Sequence, residues 1–268
     1  MKKSIYKPLG SAIIDEINII EGVGKTSFTA FPIGYPYIEV IIDSGVSIEK
    51  EHRKKQIYSY LCGQFVSPFK WRTHSHINKM VAVQIHPWAL KLIFNQSSCH
   101  FQDSQIPLHL VDSHLAKQLE DAISKTIKNE QLFLEIENIF HKCACYQPID
   151  KRVIAAWLYI VQNKGDVKIV ELATHVSLSQ RRLQQLFKTY FGIGAKKYSK
   201  IVRTQYYIYQ LLTGSINHKQ IPLVYFDQAH FIHELKSHTG MTPRKCHQFF
   251  NSTPNKREYL KWNIFNKY

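Results

Sequence analysis

The spacing of hydrophobic positions changes along the chain, and the change predicts two structurally different halves. Up to about residue 110, short apolar runs such as residues 37–42 and 80–85 are separated by glycine and proline, which is typical of short β-strands. From Leu115 onward, apolar residues recur every three or four positions, the period of an amphipathic helix. We therefore predict an α+β chain with two domains: an N-terminal β barrel or sandwich with helices, and an all-α C-terminal domain.

The first of two similar arrangements in the second half follows Ser179. This serine is placed as the N-cap of a helix whose apolar stripe includes Leu183 and Phe187, and Gly192 is placed to end that helix. The opposite face carries polar and basic side chains: Arg181, Arg182, Gln184, Gln185 and Lys188. Glutamine and arginine can read base edges through paired hydrogen bonds, whereas lysine suits phosphate. An ordinary amphipathic helix with a solvated face is the alternative interpretation.

The second arrangement repeats the first about fifty residues later. Asp227 is placed as the cap, Phe231 and Leu235 form the apolar stripe, and Gly240 ends the helix. Its exposed face is predicted to carry Gln228, His230, His233 and Lys236. Repetition of the same organisation favours a DNA-binding function over two unrelated surface helices.

The charge distribution supports this interpretation. Residues 1–150 contain 16 Lys+Arg and 15 Asp+Glu, a net charge of +1, whereas residues 151–268 carry a net charge of +14. An excess of positive charge confined to one half is the electrostatic signature of a domain that binds a polyanion. The five cysteines are odd in number and irregularly spaced, which favours reduced thiols in a cytoplasmic protein. No apolar run is long enough to cross a membrane, and no signal peptide is evident.

The motifs of the second half resemble the DNA-binding domain of the AraC/XylS family of bacterial transcription regulators. They comprise Glu171-Leu172-Ala173, the segment from Ser179 to Phe187, Phe191-Gly192, the segment from Phe226 to Phe231, and Gly240-Met241-Thr242-Pro243. The resemblance implies two helix-turn-helix units on one linker helix, each placing its second helix in one of two successive major grooves of double-stranded DNA, about 34 Å apart. By family correspondence, base contacts are expected from Arg181, Gln184, Gln185, Gln228, His230 and His233. Phosphate contacts are expected from Arg182, Lys188, Arg203 and Lys236.

The first helix of the second unit departs from the family pattern. Lys219 and Gln220 stand where relatives carry an apolar residue and alanine, and Val224 stands where they carry glycine. Pro222 falls inside the expected helix, where proline costs about 3 kcal/mol. We therefore expect that helix to be shortened or kinked.

The first half resembles, through fewer residues, the cupin-like sensory domain of one AraC-like branch. Gly63-Gln64 and the pattern from Val83 to Ile93 carry this resemblance. It implies a small-molecule effector of unknown identity. Membership of the AraC/XylS family would imply RNA polymerase as a partner and action at the nucleoid. Two helices predicted within residues 112–145 either form a homodimer surface or pack on the β domain. The predicted boundaries are 1–147 for the sensory domain, 148–252 for the DNA-binding domain and 253–268 for a basic tail.

Several groups of residues partly match the motifs of other functions, and each match is incomplete. Gly22-Val23-Gly24-Lys25-Thr26 lacks the first glycine of a phosphate loop, since position 19 is Ile. His74 with His76 has no nearby carboxylate, and His141 with Cys143 and Cys145 has no evident fourth zinc ligand. Lys245-Cys246-His247 only partly matches the active-site motif of methyl-transfer DNA-repair proteins that carry a similar DNA-binding module. We expect no catalytic residue, no metal and no cofactor.

Overall fold

A computed structural model describes residues 2–24, 27–42, 46–50, 53–57, 59–73, 77–126, 128–143, 148–217, 220, 225, 227–252, 259 and 263–266. Within them the N-terminal part contributes ten strands. They are β1 (Lys2–Tyr6), β2 (Ile14–Val23), β3 (Ser27–Ala30), β4 (Tyr37–Ile42), β5 (Val46–Lys50), β6 (Arg53–Ile57), β7 (Ser59–Cys62), β8 (Phe69–Thr73), β9 (Ile77–Ile85) and β10 (Gln105–Pro107).

The strands form two antiparallel sheets. One has the order β1-β2-β9-β4-β7-β10, and the other has the order β3-β8-β5-β6. Because side chains alternate between faces, Ile20, Ile41 and Met80 share one face of the six-stranded sheet, and they pack with Trp71 of the other sheet in one apolar core. The predicted β-rich N-terminal half is confirmed.

The outer face of the six-stranded sheet is covered by helices. These are α1 (Leu90–Phe94), α2 (Leu108–Val111), α3 (Ser113–Lys125) and α4 (Asn129–Cys143). Asp112 caps α3 by accepting from the Leu115 amide at 2.9 Å. Leu119 and Ile136 join a core that also contains Ile38 of β4, so the apolar stripes of α3 and α4 are buried against the sheet.

The C-terminal part is entirely helical where it is regular. Its helices are α5 (Lys151–Gln162), α6 (Ile169–His175), α7 (Gln180–Phe191), α8 (Ala195–Thr213), α9 (Gln228–Thr239) and α10 (Pro243–Ser252). The predicted caps are present: Ser179 accepts from the Arg182 amide at 3.2 Å, and Asp227 accepts from the His230 amide at 2.7 Å. The α+β two-domain architecture is confirmed. None of the helices in this described part of the chain has the length and apolar character needed to span a bilayer.

Lys219, Pro222 and Val224, on which the expectation of a distorted helix rests, lie outside the described residues. Gln220 is described and is exposed outside any regular element.

Two N-terminal segments pack on the helical part. The first lies between β3 and β4, where the Pro32 carbonyl accepts from Gln205 Nε2 at 2.6 Å and the Gly34 carbonyl accepts from the Tyr198 hydroxyl at 3.0 Å. The second follows α1, where the Ser98 hydroxyl donates to the Tyr190 carbonyl at 2.7 Å. A Cβ on Gly192 would lie 2.8 Å from the Ser98 carbonyl oxygen, so this close approach requires glycine.

The predicted tail returns across α8 in its described residues. Asn263 is buried, and its Nδ2 donates to the Gln205 backbone carbonyl at 2.8 Å and to Gln205 Oε1 at 2.9 Å. The Tyr259 hydroxyl donates to the Thr29 carbonyl at 2.8 Å. These bonds connect the end of the chain to β3 and to the middle of α8.

Phe31 is the most informative test of the contact between the halves. Its ring lies in the core of the second helical unit with Tyr207 and Phe250, although it belongs to the N-terminal half. Phe31→Ala should lower the free energy of unfolding by about 3 kcal/mol or more, because it leaves a cavity in that core. Urea denaturation of the full chain measures this. Leu9→Ala, at a fully exposed leucine, is the control and should change little; an equal, small effect of both variants would contradict the packing.

Candidate nucleic-acid interface and effector site

Helix α7 presents the face that the sequence predicts for base reading. Leu183, Leu186 and Phe187 are buried, and this fixes the rotation of the helix about its axis. Arg181, Arg182, Gln185 and Lys188 are consequently exposed, and Gln184 is half-buried beside Gly194. The helix begins at the Ser179 cap and ends at Gly192 in the left-handed conformation.

Helix α9 has the corresponding arrangement in the second unit. Phe231 and Leu235 point into the core, whereas Gln228, His230, His233 and Lys236 are exposed. Two helices therefore each present a polar and basic face from a capped start, which is the geometry that enters a major groove.

Arg203 does not fit the predicted phosphate contact. Its side chain is 13% exposed, and it donates from Nε and from a terminal guanidinium nitrogen to the two oxygens of Glu234, at 2.8 and 2.9 Å. Its charge is therefore already paired, and little of the guanidinium is accessible to a phosphate. The structure therefore places Arg203 in the protein interior rather than on the binding face.

Glu234 is the residue that our sequence interpretation missed. It is 1% exposed in the middle of α9. The signal was present, because Phe231, Glu234, Leu235 and His238 follow the spacing of the buried stripe, and a carboxylate on such a stripe requires a partner.

Cys246 bears on the DNA-repair interpretation. It is fully buried in the core of the second unit, and burial raises the pKa of its thiol to about 12. A nucleophilic cysteine needs an accessible thiolate, so this environment is that of an inert thiol.

The metal-ligand candidates are only partly described. Cys145, His74 and His76 lie outside the described residues. In the part of the chain that the structure covers, no group of three or more His, Cys, Asp or Glu side chains is arranged to hold a metal ion.

The space between the two sheets holds a polar cluster that the sequence did not reveal. We use the term inter-sheet cluster for Glu16, Asn18, Glu39, Tyr60, Trp71 and Gln84. Gln84 lies opposite Glu16 in the register of β2 and β9, and Glu39 lies opposite Tyr60 in β4 and β7. By the alternation of the strands, these side chains share the inner face with Ile20, Ile41 and Met80.

Part of the inter-sheet cluster is bonded internally. Asn18 Nδ2 donates to Glu16 Oε1 at 2.7 Å, the Tyr60 hydroxyl donates to Glu39, and Trp71 Nε1 donates to the Tyr60 oxygen at 2.8 Å. Burial raises the pKa of Glu39 to about 7, although its hydrogen bonds from Tyr60 and Trp71 act in the opposite direction.

Other polar atoms of the inter-sheet cluster have no hydrogen-bond partner in the protein. Gln84 is fully buried, and both its Oε1 and its Nε2 lack a protein partner, as does Asn18 Oδ1. Buried amides without partners are costly and are normally satisfied by a ligand or by ordered water.

The class of protein follows from a family model that matches residues 172–248 and is described as a helix-turn-helix domain. This segment runs from α6 into α10 and contains both capped helices. This part of the chain is accordingly a helix-turn-helix DNA-binding domain of the AraC type, as the sequence predicts. Among curated protein sequences, no significant match was found.

Comparison with solved structures gives distant similarities. ToxT from Vibrio cholerae is 13% identical, with a TM-score of 0.46 over 87% of this chain and 97% of that one. ToxT bound to an unsaturated fatty acid is 14% identical, with a TM-score of 0.44 over 88% and 95%. The AraC-like transcriptional activator CuxR is 13% identical, with a TM-score of 0.32 over 69% and 80%. The assignment of the C-terminal part rests on the family model.

The raised pKa of Glu39 should make the free energy of unfolding depend on pH. The carboxyl group binds a proton more tightly in the folded protein, with a pKa of about 7 against 4.5 ordinarily. The stability that Glu39 contributes is therefore present at acid pH and is lost as the pH rises from about 4.5 to about 7. The loss amounts to about 3 kcal/mol.

Glu39→Gln should remove this dependence while keeping an acceptor for Tyr60. Urea denaturation of both proteins between pH 5 and 8 measures the difference, which should grow in favour of the variant as the pH rises. Parallel curves over this range would show that Glu39 ionises normally.

Proposed function

We propose that the chain is a sequence-specific regulator that reads two successive major grooves of double-stranded DNA, one with α7 and one with α9. The observation that carries this proposal is the pair of capped helices whose apolar faces are buried and whose polar faces are free. Both lie in the half of the chain with a net charge of +14. This excess charge supplies non-specific attraction, and the two faces supply discrimination.

The residue roles follow the family correspondence, together with the exposure of most of these side chains on α7 and α9. In α7 we assign base contacts to Arg181, Gln184 and Gln185, with Arg182 and Lys188 on phosphates. In α9 we assign base contacts to Gln228, His230 and His233, with Lys236 on a phosphate. Arg203 is left out of this set because Glu234 occupies its guanidinium.

We propose further that an effector binds between the two sheets. Gln84 offers one donor and one acceptor, and Asn18 offers an acceptor, all without protein partners. Glu16 and Glu39 bring carboxyl groups to the same face, which disfavours an anionic ligand. A small neutral molecule that both donates and accepts hydrogen bonds fits these groups.

The remaining features of the proposal concern organisation. We divide the chain into an effector domain of residues 1–147, a DNA-binding domain of residues 148–252 and a C-terminal segment of residues 253–268. We place a homodimer surface on α3 and α4, within residues 112–145, where Leu134 is 56% exposed. RNA polymerase is the partner that the AraC/XylS type implies. We propose that the protein acts on DNA in the cytoplasm without catalysing a reaction.

The DNA-binding proposal is tested by selecting fragments from a random-sequence DNA library with the full chain and measuring affinities by fluorescence anisotropy. Changing both Gln184 and Gln185 to Ala should reduce the ratio of specific to scrambled affinity by about 10-fold or more, since a paired base contact contributes roughly 1–3 kcal/mol. Gln162→Ala, at an exposed glutamine of α5, is the matched control. Undiminished discrimination in the double variant would show that the reading face lies elsewhere.

The effector proposal is tested by thermal unfolding of the full chain with a panel of neutral polyols and amides. A compound that binds should raise the unfolding temperature of the wild type by mass action, and it should not do so for Gln84→Leu. The Gln162→Ala variant should respond as the wild type does. If no compound stabilises the wild type, or if Gln84→Leu responds equally, the inter-sheet site is not the effector site.

A further inference from the structure

A buried ion pair joins the second recognition helix to the linker helix. Glu234 of α9 is bound by both donors of the Arg203 fork, and it also accepts from the Tyr225 hydroxyl at 2.9 Å. The Arg203 guanidinium lies over the Tyr225 ring, 4.9 Å from its centre. Three donors from two side chains therefore fix one carboxylate, and with it the position of α9 along and around α8.

The same arginine lies against the first unit. Gly165, in the turn before α6, approaches α8 so closely that a Cβ there would lie 2.6 Å from the Arg203 backbone nitrogen and 2.3 Å from the Ser199 carbonyl oxygen. Burial lowers the pKa of Arg203, but its hydrogen bonds to Glu234 and the charges of Glu234, Tyr225 and Asp166 raise it overall. Arg203 thus stands at the junction between the two units.

The first recognition helix is fixed to α8 by aromatic packing. Phe187 and Phe191 of α7 contact Tyr198 of α8, with ring centres 6.2 and 5.0 Å apart. Helix α7 is therefore seated on one end of α8, and α9 is held further along by Arg203. A buried pair in which both carboxylate oxygens and two guanidinium nitrogens are engaged has one good geometry.

Glu234 also lies close to two partly exposed side chains beside the proposed DNA-binding face. His230 Nε2 lies 3.7 Å from Glu234 Oε2, and Lys200 Nζ lies 3.5 Å from the same oxygen. His230 and Lys200 are 43% and 34% exposed, so the carboxylate orients side chains that are available to DNA.

We propose that the Arg203–Glu234 pair sets the distance and phase between the two DNA half-sites that the protein accepts. The pair would act by positioning, since it holds α9 in one orientation relative to α7. This inference rests on the proposed function, because it concerns how two reading helices share one DNA molecule. Each inserted base pair rotates one half-site by about 34° relative to the other, so a rigid connection is sensitive to a single insertion.

The test uses the full chain and the two-part sequence that it selects from a random DNA library. One or two base pairs are inserted between the half-sites or removed, and affinity is measured for each fragment and for the first half-site alone. The wild type should lose roughly 30-fold or more on a one-base-pair change, because one unit must then release its groove.

The informative variant changes both partners, Arg203→Met with Glu234→Leu, because an apolar replacement of a buried pair commonly preserves folding. It should lose about 10-fold at the preferred spacing, vary by less than about 5-fold across the spacings, and bind the half-site as the wild type does. Arg203→Lys, which keeps the charge without the fork, should broaden the spacing profile part of the way. Arg152→Met breaks an exposed pair with Asp150 and should leave the profile sharp.

The outcomes separate the two proposals. If the wild type selects no sequence, the proposed function fails and the inference fails with it. If the wild type selects a two-part sequence and a folded Arg203→Met, Glu234→Leu variant keeps the same sharp profile, the proposed function stands and the inference is overturned. If the double variant does not fold, the Arg203→Lys variant decides. A spacing profile as sharp as that of the wild type then overturns the inference.

Discussion

The burial of helix α8 is the constraint on which the rest of the structure depends. More than half of its nineteen residues are buried, and each side of the helix meets a different part of the chain. The Tyr198 hydroxyl accepts from Trp157 of α5 and donates to the Gly34 carbonyl, in the segment that connects β3 to β4. Gln205 donates to Pro32 of the same segment and accepts from Asn263. Both α7 and α9 pack on α8, but the N-terminal half also contacts α7 directly through Ser98 and the core of the second unit through Phe31. A change in the β domain therefore has routes to these helices through α8 and beside it.

The C-terminal fold could be predicted largely from the sequence because its signals are local. Ser179 and Asp227 cap helices by bonding to amides three residues away, and Gly192 and Gly240 end them in a conformation that glycine adopts easily. The N-terminal strands were predicted only in outline. β5 and β6 pair through a hairpin of charged residues, and no apolar run marks them.

The chemistry of the interior was harder to predict, because it depends on which distant residues meet. Arg203 looks like a phosphate ligand until Glu234, thirty-one residues later, is found beside it. Gln84 and Asn18 look like ordinary strand residues until the register places them on the closed face of a sheet. Periodicity identifies the face on which a residue lies, but it does not say whether the group across the gap is a partner or a void.

The position of Phe31 has a consequence for the evolution of such regulators. Its ring completes a core made otherwise of residues from α8, α9, α10, the residues between these helices and the C-terminal segment. Recombination that exchanged the β domain for an unrelated one at residue 148 would leave that core open, unless the new domain supplied an aromatic side chain at the same place. The two halves are therefore expected to be inherited and to diverge together, with the residues around Phe31 changing in step on both sides of the contact.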